Sequence, residues 1–304
     1  MKCLVTGGTG FIGSNIALHL QDEGHQVIIT GNESEQYLST FKGKHLHPSF
    51  IGIDWDAIGK VDVLFHQAAL NDTRNLDRNE MLRANVESAK KLFQYVIDQG
   101  CKRIVFASST AVYGRHPAPY KENATPFDLN TPYAESKKLV EDYAAKLAKE
   151  HPEVKLIGLR YCNVYGPREN HKGKRATMIY QFAQQMLQGN PRMFEFGEQR
   201  RDYVYVKDVV SANMLAARAK ESCVVNCGSG MPTTFNDIVK HLNAVLNLNR
   251  KPEYMQNPFK GNYQDHTECD MSCARDLIGF VPKFDILAGI KDYYKSGFLV
   301  PLKQ

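Results

Sequence analysis

The stretch TGGTGFIG at residues 6–13 constrains this chain more than any other. It follows the apolar run KCLVT (2–6) without a break and opens a helical segment. Gly7, Gly10 and Gly13 recur at a regular spacing. Glycine lets a backbone turn tightly and approach a pyrophosphate, whose charge then sits on the N-terminus of the next helix. A glycine pattern alone says little, but between a strand and a helix it reads as a dinucleotide site. Gly7, Gly10, Phe11, Ile12 and Gly13 are therefore the first candidate cofactor residues.

The rest of the first half agrees. QVIIT (26–30), SFIGI (49–53), VDVLFH (61–66), KRIVFAS (102–108) and VKLIGLRY (154–161) read as further strands. They are nearly continuous apolar runs, as parallel strands covered on both faces must be. Amphipathic helices separate them, most clearly at 79–99 and 132–150. Alternation of this kind predicts an α/β fold, a Rossmann-type doubly wound parallel sheet. Beyond residue 165 the pattern loosens. Helices are expected near 177–188, 208–219, 234–247 and 285–296, with short strands near 202–206 and 222–227 and a loop-rich region at 248–283. We divide the chain into a cofactor domain, 1–165, and a smaller C-terminal α/β lobe, 166–304, that binds substrate. Segments near 200–230 are candidates to return to the first domain.

Two more cofactor features follow from this layout. An acidic residue normally ends the second strand and holds the ribose 2′-hydroxyl. Here that place is Gly31, and no arginine replaces it, although Lys42 and Lys44 follow not far along. NAD and NADP both stay open, with a lean to NADP. Asp54, closing the third strand, is placed to meet the adenine edge or to be a solvated strand end. Ala68 and Ala69, in HQAA (66–69), are small enough to let a cofactor lie close.

The chemical residues come later. In TPYAESKK (131–138) Thr131 suits an N-cap and Pro132 a first helical position. Tyr133 and Lys137 then share one helical face. A phenol is a poor base at neutral pH, and a nearby ammonium should favour the phenolate. Ser109, at the end of the fifth strand, can align a substrate hydroxyl. Ser109, Tyr133 and Lys137 together form a redox site for an alcohol and a nicotinamide.

Composition excludes other classes. The net charge of +5 is mild, and no long basic run or aromatic-interleaved stripe suggests nucleic acid. No apolar run approaches the roughly 18 residues of a membrane span, and the N-terminus lacks a signal-peptide layout, so a cytoplasmic location is expected. The seven cysteines include C-x3-C pairs at Cys223/Cys227 and Cys269/Cys273, but neither pair has partners at metal-site spacing. Reduced thiols and no metal are expected.

The motifs TGGTGFIG, HQAA, SSTAVYG, YAESK, RYCNVYGPR and RRDYVYVKDV occur in one order along the chain. In this the chain resembles the extended short-chain dehydrogenase/reductase superfamily, specifically its nucleotide-sugar epimerases and dehydratases. The resemblance implies a tightly bound NAD or NADP, a nucleotide-diphosphate sugar as substrate, and a homodimer or higher homo-oligomer formed through the helices at 79–99 and 132–150. It implies that Asn85, Asn163 and Arg201 frame cofactor or substrate, with Arg201 on the diphosphate. The 4,6-dehydratases of this group carry Asp-Glu after the Ser/Thr; Thr110 and Ala111 stand there instead, which disfavours dehydration. A glutamate used by the decarboxylases is also missing.

Two segments, GPRENHKG (166–173) and FKGNYQDHTECD (259–270), resemble those of the ADP-L-glycero-D-manno-heptose 6-epimerase family, which serves lipopolysaccharide core synthesis. There the lysine of HKG is a second acid/base opposite the tyrosine. Carried over, the pair is Tyr133 and Lys172, and Tyr263 becomes a candidate sugar contact or a packing residue. Inversion presents one oxygen in two orientations, and two bases serve both. The plain alternative is that Lys172, Lys174 and Arg175 only attract the diphosphate. YCN in place of YFN, and KGKRAT, depart from the family. A UDP-hexose or UDP-uronate 4-epimerase, or a 4-keto-sugar reductase, is the competing reading. A non-catalytic NADP sensor would not need the Ser109/Tyr133/Lys137 set.

Overall fold

The computed structural model describes residues 1–31, 38–47, 55–72, 75–257 and 265–301. The candidate residues Asp54 and Tyr263, and the strand expected at 49–53, lie outside the described residues.

In chain order the first half runs β1 (Lys2–Thr6), α1 (Phe11–Asp22), β2 (Gln26–Thr30), β3 (Lys44–Leu46), α2 (Trp55–Ile58), β4 (Val63–His66), α3 (Arg78–Leu82), α4 (Ser88–Asp98), β5 (Arg103–Ser109), α5 (Pro132–Glu150) and β6 (Lys155–Tyr161). The second half runs β7 (Asn163–Tyr165), α6 (Met178–Gln188), β8 (Arg192–Phe194), β9 (Arg200–Tyr205), α7 (Val206–Ala216), β10 (Cys223–Cys227), β11 (Pro232–Thr234), α8 (Phe235–Leu246), β12 (Glu253–Met255), α9 (Ser272–Ile278) and α10 (Ile286–Lys295).

A seven-stranded sheet of order β10-β6-β5-β4-β1-β2-β3 forms the centre, with every pair parallel. Alternate strand residues enter two different cores. Val5, Ile29, Phe65 and Val105 pack with α1, α7 and the second-half helices. Leu4, Ile28, Leu64 and Ile104 pack with α4 and α5. Both faces are covered, which is why the strands read as unbroken apolar runs. Strand order reverses between β1 and β4, so the ligand crevice opens at their carboxyl ends.

Of two smaller sheets, the three-stranded β11-β9-β7 borders the crevice, and the other is the two-stranded β12-β8. Within the loop-rich stretch, β12 and α9 are regular after all. Each is too short for its periodicity to register. The strand at 223–227 lies in the large sheet, paired to β6 from Cys223↔Ile157 to Cys227↔Tyr161.

The helix expected at 79–99 is interrupted. Residues Arg83–Glu87 form a π-helical turn between α3 and α4. Its extra residue swings Asn85 inward, where it is 2% exposed. Such turns often mark functional sites.

Candidate active site

Gly7 adopts φ +65°, and a Cβ there would stand 2.9 Å from the Ala68 Cα. At Gly13 a Cβ would lie 2.1 Å from the Gly7 carbonyl oxygen. The loop therefore folds only with glycine at both places. It leaves a bare backbone cradle at the N-terminus of α1, a shape and polarity that fit a pyrophosphate. Ala68 is buried and Ala69, with Phe11 and Ile12, lines the adjoining cavity.

Asn85 acts one step back. Its side chain accepts from the Leu70 amide at 2.7 Å and donates to the Leu70 carbonyl and Ser136 Oγ, both at 3.0 Å. It pins the segment after Ala69 to α5, and is absent from the cavity wall. At Gly31 a Cβ would come 1.9 Å from Thr9 Oγ1, so buried Thr9 fills the room an acidic side chain would need. Lys42 and Lys44 line a groove at the opening end of β2 with Lys2, Gln21 and His25, and Lys44 Nζ donates to the Ala57 carbonyl at 2.7 Å. That is the wrong end of the strands for the ribose. His45 lies nearer, its Nε2 3.1 Å from the Gly31 carbonyl oxygen.

His66 closes β4 beneath the crevice, 4% exposed, with Nδ1 2.8 Å from Thr6 Oγ1 and its ring edge-on to Phe93. Burial, aided by the Lys137 charge, pushes its pKa from 6.5 down to about 3. Below 6.5 the unfolded chain takes up a proton that native His66 refuses. This contribution is complete above pH 6.5 and is lost as pH falls toward 3. The slope is about 1.4 kcal/mol per pH unit at most. Denaturant midpoints across that range should show the slope, and His66→Asn should flatten it. An identical slope in that variant would count against the assignment.

Thr131 caps α5 by accepting from the Ala134 amide at 3.1 Å, with Pro132 in the first turn as expected. This fixes Tyr133 and Lys137 at the end of β5. Tyr133 and Ser109 border the same cavity, and the Lys137 ammonium sits 5.6 Å from the centroid of the Tyr133 ring. Lys137 Nζ donates to the Ala107 carbonyl at 2.9 Å. Burial lowers Lys137 to about 8, opposed by Glu141. Burial also raises the Tyr133 phenol, opposed by the Ser109 hydroxyl. The expected phenolate-favouring effect of the lysine is outweighed here, because desolvation acts against both charges.

Sequence reading missed the support beneath these residues. Glu141, one turn after Lys137, accepts from Ser108 Oγ at 2.5 Å, from Arg160 Nε at 2.8 Å and from Arg160 Nη2 at 2.7 Å. Arg160 Nη1 donates to the Tyr113 hydroxyl at 2.9 Å, which donates to Asn226 Oδ1 at 2.7 Å. The network ties α5, β5, β6 and β10 together under the site. Breaking such a buried pair on one side costs about 3–5 kcal/mol. The i, i+4 spacing of Lys137 and Glu141 was its only sequence signal.

The facing wall comes from β7, β9 and the loop at 166–177. A cavity of about 420 Å³ is bounded by Ser109, Tyr133 and Lys137 and by Asn163, Lys172, Arg175 and Arg201. Lys172 Nζ stands 5.6 Å from the centroid of the Phe11 ring, beside the cofactor loop. Burial lowers its pKa, Glu169 opposes that, and Arg175 adds to it. Asn163 Nδ2 donates to the Asp202 carbonyl at 3.0 Å. The Arg201 guanidinium lies over Phe235. A second hollow of about 840 Å³ shares Ser109, Tyr133, Asn163 and Arg201 and extends to Arg115 and His266.

Cys162, Cys269 and Asp202 bring ligand-type atoms within 4.8 Å of one another. The Asp202 carboxylate is already engaged by the Ser229 amide and hydroxyl and by the Gly230 and Cys269 amides, at 2.6–3.0 Å.

The model of the NAD dependent epimerase/dehydratase family matches residues 3–228. The chain is 33% identical to ADP-L-glycero-D-manno-heptose-6-epimerase of Brachyspira hyodysenteriae, over 95% of this chain and 96% of that protein. The crystal structure of Helicobacter pylori ADP-L-glycero-D-manno-heptose-6-epimerase superposes with a TM-score of 0.87 at 32% identity, covering 97% and 95% of the two chains. UDP-N-acetylglucosamine 4-epimerase from Methanobrevibacter ruminantium, in complex with UDP-N-acetylmuramic acid, superposes with a TM-score of 0.87 at 30% identity, covering 97% and 98%.

Proposed function

The chain belongs to the NAD dependent epimerase/dehydratase family and is an NAD(P)-dependent nucleotide-sugar epimerase; from that premise we propose that it inverts C6 of an ADP-linked heptose. One observation carries the proposal. Tyr133 and Lys172, from distant parts of the chain, border a single cavity beside the cofactor loop. Two acid/base groups of this kind can serve the two orientations of the oxygen that inversion presents.

In this reading residues 1–165 hold the dinucleotide and 166–304 the nucleotide sugar. The bound nicotinamide supplies a reversible acceptor for a hydride. Tyr133, aligned by Ser109, takes the hydroxyl proton as the carbinol becomes a ketone. Lys137 holds the ribose and keeps positive charge near the phenol. The carbonyl is then presented by its other face, and Lys172 supplies the proton to the oxygen in its new position. Arg201, a fixed guanidinium, holds the diphosphate. Asp54 and Tyr263 keep their proposed adenine and sugar contacts. Dehydration is disfavoured, since Thr110 and Ala111 carry no acid, and Thr110 Oγ1 donates to the Tyr161 carbonyl at 3.3 Å. We favour NADP, because nothing acidic fits at Gly31, and a homodimer or higher homo-oligomer through the helical segments at 79–99 and 132–150. No helix among the described residues is long and apolar enough to cross a membrane.

The competing 4-epimerase reading draws on the equal superposition of the UDP-N-acetylglucosamine 4-epimerase. Incubation with ADP-, GDP-, CDP- and UDP-sugars, followed by NMR, separates the two. Inversion at C6 of the ADP-heptose with no net cofactor change is expected, and NADP should be the dinucleotide that copurifies. Inversion at C4 of a UDP-sugar with the heptose untouched would sink the heptose reading. Net consumption of reduced cofactor on a 4-keto-sugar would make the protein a reductase.

A further inference from the structure

Glu169 is 0% exposed, yet it is not on the cavity wall and has no part in the steps above. Its carboxylate accepts from the Gly166 amide at 3.2 Å, the Thr177 amide at 2.8 Å and Thr177 Oγ1 at 3.0 Å. One side chain thus joins the two ends of the loop at 166–177. Between those ends the backbone folds into short turns, with the Lys172 amide on the Glu169 carbonyl at 2.9 Å and the Ala176 amide on the Gly173 carbonyl at 3.0 Å. Lys172 rides on that closed loop.

The loop is also fastened to the cofactor helix. Asn15, on α1, donates to the Phe11 carbonyl at 2.8 Å and to the Pro167 carbonyl at 3.0 Å, and accepts from Arg168 Nη1 at 2.9 Å. Loop, helix and Phe11 therefore hold one another, and the Lys172 ammonium comes to rest over the Phe11 ring.

A buried carboxylate is costly when packing alone is needed. A neutral side chain could fill the same space. A carboxylate adds two things: acceptors for three donors at once, and a negative charge beside Lys172. We propose that Glu169 is a positioning residue for Lys172, its carboxylate closing the loop and fixing both the reach and the charge of that ammonium. The inference rests on the reading of Lys172 as the second acid/base. Lys172 is faced by Glu169 and Arg175 from its own loop, by Tyr133 and Lys137 from α5, and by Arg201 from β9. Glu169 is faced by Lys172, by Tyr165 from β7 and by Tyr293 from α10. Its charge favours the Lys172 ammonium, opposing burial and Arg175.

Glu169→Gln tests the proposal. The amide turns an NH2 group toward the donors and removes the charge. We expect kcat to fall about tenfold or more with KM within about threefold. The limb of the pH profile that reports Lys172 should move to lower pH, since the charge that favoured the ammonium is gone. Thr177→Val removes one clasp bond and keeps the charge. It spares the helix, because the Thr177 hydroxyl does not cap α6. It should lower kcat about fivefold and leave the limb in place. A Glu169→Gln enzyme with normal kcat and an unmoved limb overturns the proposal. If that variant fails to fold, Thr177→Val decides alone, and a normal kcat overturns it. Lys172→Met, measured beside them, keeps the two levels apart. Near-normal turnover there removes the underlying reading, whereas a dead Lys172→Met beside an unaffected Glu169→Gln removes only the clasp.

Discussion

Tyr133→Phe should lower kcat by about a thousandfold and leave KM nearly unchanged. The substitution deletes one oxygen. The ring remains, with the Lys137 ammonium 5.6 Å from its centroid, so the packing of α5 against β5 is preserved. What disappears is the hydroxyl that shares the cavity with Ser109, the group proposed to handle the proton as the carbinol is oxidised. Ser109 has no comparable capacity as a base, and Lys137 is turned toward the Ala107 carbonyl. Neither can take over. The loss should be the same for any sugar, since it removes the oxidation that every version of the chemistry shares. Single-turnover reduction of bound cofactor should fall with kcat. A Tyr133→Phe enzyme of full activity would overturn the whole site.

Lys172→Met should lower kcat about a hundredfold or more while nucleotide-sugar affinity changes by less than about threefold. Methionine keeps an unbranched apolar stem against Phe11 and gives up only the ammonium. If Lys172 serves the second orientation of the oxygen, turnover stops though oxidation at Tyr133 still runs. Bound cofactor would then become reduced on adding substrate and stay so. If Lys172 only attracts the diphosphate, the opposite split follows: normal kcat, a much raised KM, and part of the affinity kept by Arg175 and Arg201 on the same wall. The lowered pKa of Lys172 suits a proton carrier better than a phosphate ligand, because a ligand works best when always charged.

Much of this site could be read along the chain. The glycine loop, Ser109 at a strand end and the Tyr133/Lys137 face each depend on neighbours within a few residues, and local geometry carries them into the fold. The resemblance implies that Asn85 frames cofactor or substrate, and the fold buries it behind the cavity wall. It reaches Leu70 and Ser136 because a π-helical turn rotates it inward, and nothing in a run of helix-forming residues announces that turn. Lys42 and Lys44 looked close to Gly31 in sequence, yet they line the groove at the other end of β2. Distance along a chain does not tell which end of a strand a side chain attends. The Glu141–Arg160 pair and the Glu169 clasp join segments that sequence cannot pair without a fold.

By itself, then, the sequence determined the alternation of apolar strands and amphipathic helices, the glycine cradle, and the residues proposed for the redox step. These follow from hydrophobic periodicity and turn chemistry, which act over a few residues. Only the tertiary structure decided that β10 closes the sheet, that Lys172 meets Tyr133 across one cavity, and that burial raises the phenol while lowering both lysines. Those outcomes depend on which distant segments exclude water from the same volume. A charge has no fixed cost until its surroundings are assembled.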